Sequence, residues 1–155
     1  MDEQCLVDEL GRVLRSAEGR EAKAVRIAET IRSAGDYRWV GIYEVSGEEI
    51  GVIGWSGPGG PAHPRFPVTQ GLSGAAVASR ETVVADDVSK DPRYLTAFGS
   101  TRSEIIVPVV DRPGRKVVGT IDVESEQVDA FSEEDRATLE RCAGAVAELW
   151  KASRP

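Results

Sequence analysis

The sequence predicts an α+β fold: an antiparallel sheet with long helices from both ends of the chain on one face and loops covering the other. Three observations predict it. Apolar residues recur at helical spacing near both ends of the 155-residue chain. Four segments between them alternate or cluster β-branched and aromatic residues, and they read as two hairpins. The order is helix, two strands, loop, short helix, strand, irregular stretch, hairpin, helix, with no repeat or linker, so residues 1–155 are read as a single domain.

Residues 5–34 carry Leu6, Leu10, Val13, Leu14, Ala17, Ala24, Ile27, Ala28 and Ile31, one apolar helical face. Gly11 and Gly19 weaken that helix, a break near Gly19 fits the pattern, and Gly35-Asp36 ends it. YRWVGIYEV (37–45) reads as a strand, Gly47 as a turn and EIGVIGWS (49–56) as its partner. GPGGPAHP (57–64) is too rich in Gly and Pro to be regular. A short strand at 65–68, a short helix at 71–80 and a strand at 81–88 follow. Residues 89–103 are irregular, with one helical turn expected after Pro92. Residues 104–111 and 116–125 form the second hairpin. The last helix opens at Ser132, which caps it with Asp135 in the first turn, and Leu139, Cys142, Val146 and Leu149 make its stripe.

Composition limits the partners. A net charge of −7 argues against nucleic acid and against anionic membranes, because phosphate binding rests on Lys and Arg. The acidic start MDEQCLVDEL is unlike a signal peptide and no segment reads as a membrane span, so a cytoplasmic location is expected. Cys5 and Cys142 lie near opposite ends, without metal-ligand spacing. They read as small apolar fillers on helices, with a disulfide tying the ends together as the other reading. No cofactor is implied.

Side chains alternate across a strand. Trp39, Gly41 and Tyr43 therefore share one face of the first strand, and Thr120, Asp122 and Glu124 one face of the last. Val40, Ile42, Ile121 and Val123 suit the face under the terminal helices. The loop-covered face then offers two rings and two carboxylates, with Glu104 placed to join them. Three acids beside Trp and Tyr suit a small ligand bearing an ammonium group. The other reading makes the acids solvated strand ends and the rings core.

Ser73, in QGLSGAAVAS (70–79), is not a nucleophile elbow, because Gly74 follows it directly and Ala75 stands where a second glycine belongs. Its plain role is to help start a helix. His63 sits in a Pro-flanked loop without an evident orienting partner and reads as a surface residue. A helix N-terminus under a ligand pocket also suits an anionic group.

The segment G-L-S-G-A-A-V-A-S-R-E-T-V-V-A-D-D-V-S-K-D-P-R-Y, followed by E-I-I-V-P-V and K-V-V-G-T-I-D-V-E-S, resembles a GAF domain along almost the whole chain. Within GAF domains, Y-R-W-V-G-I-Y, the G-x-P-A loop at 60–62, S-T-R-S-E-I-I-V-P and I-D-V-E-S are most similar to the free methionine-(R)-sulfoxide reductases. The resemblance implies that Trp39, Tyr43, Glu104, Asp122 and Glu124 hold a free amino acid, with Glu124 where that family usually has Asp. It also implies three cysteine positions, which here are His63, Ser73 and, by ungapped count, Ala97, with Phe98 where the family has an acid. Thiol chemistry needs sulfur at those places. The expectation is a small-molecule-binding or sensor module without thiol catalysis, Ser73 and His63 lining its pocket. The alternatives are a residual or altered reductase, and an interaction module that dimerises through the terminal helices near Leu149 and Trp150.

Overall fold

In the computed structural model, which describes residues 2–95, 99–112 and 115–151, the sheet is six-stranded and antiparallel. Ala97 and Phe98 lie outside the described residues. The elements are α1 (Glu3–Arg15), α2 (Arg20–Gly35), β1 (Trp39–Ser46), β2 (Glu49–Ser56), β3 (Arg65–Pro67), α3 (Gly71–Ser79), β4 (Val83–Ala85), β5 (Ser103–Asp111), β6 (Lys116–Ser125), α4 (Glu133–Val146) and α5 (Glu148–Lys151). The strand order β3-β2-β1-β6-β5-β4 brings the first strand against the last.

The N-terminal helix is two helices. The chain turns extended at Ser16 and again at Gly19, which begins α2. Asp36 ends α2 in the left-handed conformation, a cap that Asp tolerates better than most residues. The helical turn expected after Pro92 lies earlier, as a 3₁₀ turn over Val88–Lys90 that Asp87 caps. The strand expected over 81–88 is only three residues long, because β4 is an edge strand paired to β5 alone. At α4 the expected cap is complete: Ser132 accepts from the Asp135 amide, and the Asp135 carboxylate accepts from the Ser132 amide.

The main core lies between the helices and one sheet face. Leu6, Leu10, Ile27, Ile31, Leu139 and Val146 pack on Val40, Ile42, Ile105, Ile121 and Val123, as the strand alternation predicts. Leu149 and Trp150, the residues offered for an interface, are buried in this same core. Trp150 lies over Gly119, where an added Cβ would meet its ring at 2.3 Å, and its Nε1 donates to the Tyr43 carbonyl at 3.3 Å. The cysteines are both free. Cys142 is buried filler. Cys5 is not, because it sits off the Leu6–Leu10–Val13 stripe and faces solvent beside Asp2.

The opposite sheet face carries two smaller clusters. Leu72 and Ala76 of α3 pack on Ala85, Val88 and Ile106. Trp39, Tyr43 and Ile50 pack with Phe66, Val68 and Val77. Among the described residues, no helix is long and apolar enough to cross a membrane.

Candidate functional site

Three neighbouring strands build the site. Register places Trp39 beside Glu124 and Gly41 beside Asp122 across β1 and β6, and Glu104 beside Glu124 across β5 and β6. Alternation then turns Trp39, Tyr43, Thr120, Asp122, Glu124 and Glu104 to the face away from the long helices. Gly41 is required between the two rings: a Cβ there would sit 2.4 Å from the Trp39 indole and 2.7 Å from the Tyr43 ring. The rings meet at 6.4 Å between centroids, tilted by 48°, and Tyr43 meets Phe66 edge-on at 6.0 Å. The Trp39 Nε1 donates to the Gly59 carbonyl at 3.0 Å, which ties the Gly/Pro-rich loop over the site.

The three acids are not solvated strand ends. Glu104, Asp122 and Glu124 are 6%, 6% and 1% exposed, and one carboxylate oxygen from each lies within 4.8 Å of the others. Thr101 Oγ1 donates to Glu124 Oε1 at 2.7 Å. Among the described residues, Asp122 Oδ1, Glu124 Oε2 and Thr120 Oγ1 are buried without a hydrogen-bond partner. The ion pairs of the described residues are found elsewhere, none on these acids.

Burial without a counter-charge favours the neutral acids. Burial, then the Asp122 and Glu124 charges, hold Glu104 well above the usual carboxylate range. Asp122 is pushed up to about 6 by burial, partly offset by a hydrogen bond from Glu104. Glu124 is pushed up to about 8 by burial and then by Asp122, with the Thr101 hydroxyl acting the other way. Burial and the three acids also push the Tyr43 hydroxyl upward, so it stays protonated. The cluster accepts protons or cations.

Ser73 and His63 reach the same place from two other elements. With Tyr43, Phe66, Leu95, Glu104 and Asp122 they line a hollow of about 30 Å³. Ser73 is buried at the third position of α3, and it does not start that helix. Gln70 stands at the cap, with no side-chain cap bond. His63 is exposed at the rim. Phe66, Leu72 and Leu95 were not singled out from sequence, since their place over the acids depends on how α3 and the 92–95 segment fold back. Thr120 was placed on this face but not as a site residue; its buried, unpartnered hydroxyl needs the pairing of β6 with both neighbours. A larger hollow of about 720 Å³ lies on the outer side of α3, against Pro92–Leu95, and none of the three acids lines it.

Known proteins share this arrangement of elements. The chain is 32% identical over 110 residues to the free methionine-R-sulfoxide reductase of Saccharomyces cerevisiae, covering 70% of this chain and 60% of the yeast protein. The structure superposes on the type II free methionine-R-sulfoxide reductase of Thermoplasma acidophilum with a TM-score of 0.81 at 30% identity, covering 86% of this chain and 93% of that one. It superposes on the free methionine-R-sulfoxide reductase of Neisseria meningitidis in complex with its substrate with a TM-score of 0.86 at 28% identity, covering 98% and 90%. The family model of the GAF domain matches residues 20–149, from the start of α2 through every strand of the acid cluster to α5. The chain belongs to the GAF domain family.

Proposed function

We propose that this chain is a small-molecule-binding GAF module that recognises the ammonium group of an amino-acid-like ligand and carries out no thiol catalysis. One observation carries the reading: three buried acids converge beside Trp39 and Tyr43 with no Lys or Arg paired to them among the described residues. An ammonium donates three charge-assisted hydrogen bonds, and oxygens without partners stand ready to accept them. The rings flank the cation or the rest of the ligand. The relatives act on a free amino acid derivative by their names, which supports this ligand class. The same acids disfavour phosphate, and with it cyclic nucleotides.

The hollow at the acids is about the room of one water. A ligand of amino-acid size therefore enters by displacing the 57–64 loop or the Leu95 side chain, a change on binding that suits a sensor.

Isothermal titration of methionine, both its sulfoxides, the common amino acids and a set of nucleotides tests the proposal. Saturable binding of an amino acid is expected, weakened at least tenfold by Asp122→Asn. Silence across the whole set in folded protein would sink it.

Similarity to the reductases favours a second reading, turnover of free methionine-(R)-sulfoxide. Sulfur placement opposes it. Cys5 and Cys142 are the chain's two cysteines, and both stand on helices of the opposite sheet face. Burial pushes the Cys142 thiol up to about 12, so it offers little thiolate. His63 and Ser73 lie at the pocket without sulfur. Thioredoxin-coupled turnover is expected to be absent. Activity that survives replacement of both cysteines would overturn this argument.

A further inference from the structure

We propose that Glu104, Asp122 and Glu124 also hold one hard divalent cation of the Mg²⁺, Ca²⁺ or Mn²⁺ class, as an occupant that excludes the ammonium ligand. Three carboxylates from two strands offer oxygens within 4.8 Å of one another, close enough for one ion to draw them in as shared ligands. The three donors of the cluster are all carboxylate oxygens, a set that suits hard cations.

A second observation lies outside the acids. Thr120 is 0% exposed, and its Oγ1 has no partner among the described residues. It stands two residues before Asp122 on the same face of β6, opposite Tyr43. A buried hydroxyl without a partner is costly, and an ion or an ion-bound water beside Asp122 relieves it. Asp122 Oδ1 and Glu124 Oε2 lack partners in the same place. Buried carboxylates are ordinarily paired or bound to metal, and among the described residues no cation pairs with these. The hollow of about 30 Å³ lined by Glu104 and Asp122 has room for an ion-bound water without any loop moving, whereas an amino acid needs the site to open.

The inference stands on the cluster itself and does not require the amine reading. The test is titration of metal-free protein at about pH 8 with MnCl₂ alone, followed by calorimetry and by loss of the free Mn²⁺ electron-spin-resonance signal. One Mn²⁺ per chain is expected, displaced by Ca²⁺ or Mg²⁺. Asp122→Asn, Glu124→Gln and Glu104→Gln should each weaken it at least tenfold. Absence of saturable binding below about 1 mM by folded wild-type protein, the weak end of natural calcium sites, overturns the inference. So does Mn²⁺ binding that all folded variants retain undiminished, which would place the ion elsewhere. Should a variant fail to fold, Tb³⁺ luminescence from the wild type decides. Trp39 is the register partner of Glu124, so tryptophan excitation should give Tb³⁺ emission that Ca²⁺ quenches, and no emission counts against the site. Amino-acid binding without Mn²⁺ binding would reject this inference alone; Mn²⁺ binding without amino-acid binding would reject the amine reading alone.

Discussion

Glu104 and Glu124 stand directly opposite one another across β5 and β6, both buried and both on the face away from the long helices. Like charges at such a cross-strand position destabilise a sheet. Asp122, two residues along the same face of β6, adds a third carboxyl. Burial holds all three carboxyls above the usual carboxylate range, which favours their protonated forms.

Stability should therefore fall as pH rises. The folded-state values of Asp122, about 6, and Glu124, about 8, lie above their ordinary values of 3.8 and 4.5. The native chain then binds more protons than the unfolded chain between those limits. This contribution is complete below the ordinary values and is lost as pH rises through the folded ones. Melting temperature is expected to drop between about pH 5 and about pH 8.5, by an amount corresponding to a few kcal/mol. Differential scanning calorimetry across that range checks it; a flat profile refutes it.

Glu124→Gln should stabilise the protein at alkaline pH while removing ligand affinity. The amide keeps an acceptor for the Thr101 hydroxyl, which bonds Glu124 Oε1 at 2.7 Å, and removes a buried charge. A gain on the order of 1–3 kcal/mol in urea unfolding at about pH 8.5 is expected, shrinking towards about pH 5. Equal gains at both pH values would show that charge is not the cause.

Gly41→Ala should disable the site. The new methyl would overlap the Trp39 and Tyr43 rings, which are buried and have little room to retreat. Overpacking of this kind costs about 1–3 kcal/mol. Ligand or Mn²⁺ binding should fall with the altered ring positions, and near-ultraviolet circular dichroism reports the rings directly. An unchanged aromatic spectrum would contradict the packing described.

Trp150→Ala should unfold the protein more readily and leave its oligomeric state as it was. Trp150 is 2% exposed within the chain, so its loss opens a cavity costing about 3–5 kcal/mol. Chemical denaturation beside light scattering separates the cases. Unchanged stability with a changed mass would return the residue to an interface.

Much of the site was legible because strand alternation is local. Trp39 and Tyr43 are four residues apart and Asp122 and Glu124 two, both even spacings, so sequence alone puts each pair on one face. Their meeting was not local. It depends on β6 pairing with both β1 and β5, a long-range register that only the folded sheet fixes. Burial of the acids was equally hidden, since the covering groups Phe66, Leu72 and Leu95 come from separate elements. Local signals also set traps. Cys5 looked like filler only while its angle on α1 was unknown, whereas Gly19 did mark the break that the apolar spacing runs past.

The bond from the Trp150 indole to the Tyr43 carbonyl crosses from the helical layer to the strand that carries the pocket ring. Glu3 pairs with Arg141 on that same layer, at 2.7 Å, so the first and last long helices meet behind the sheet. Through Trp150, α5 is tied to the backbone that carries Tyr43, which makes that helix the place to attach a reporter of pocket occupancy.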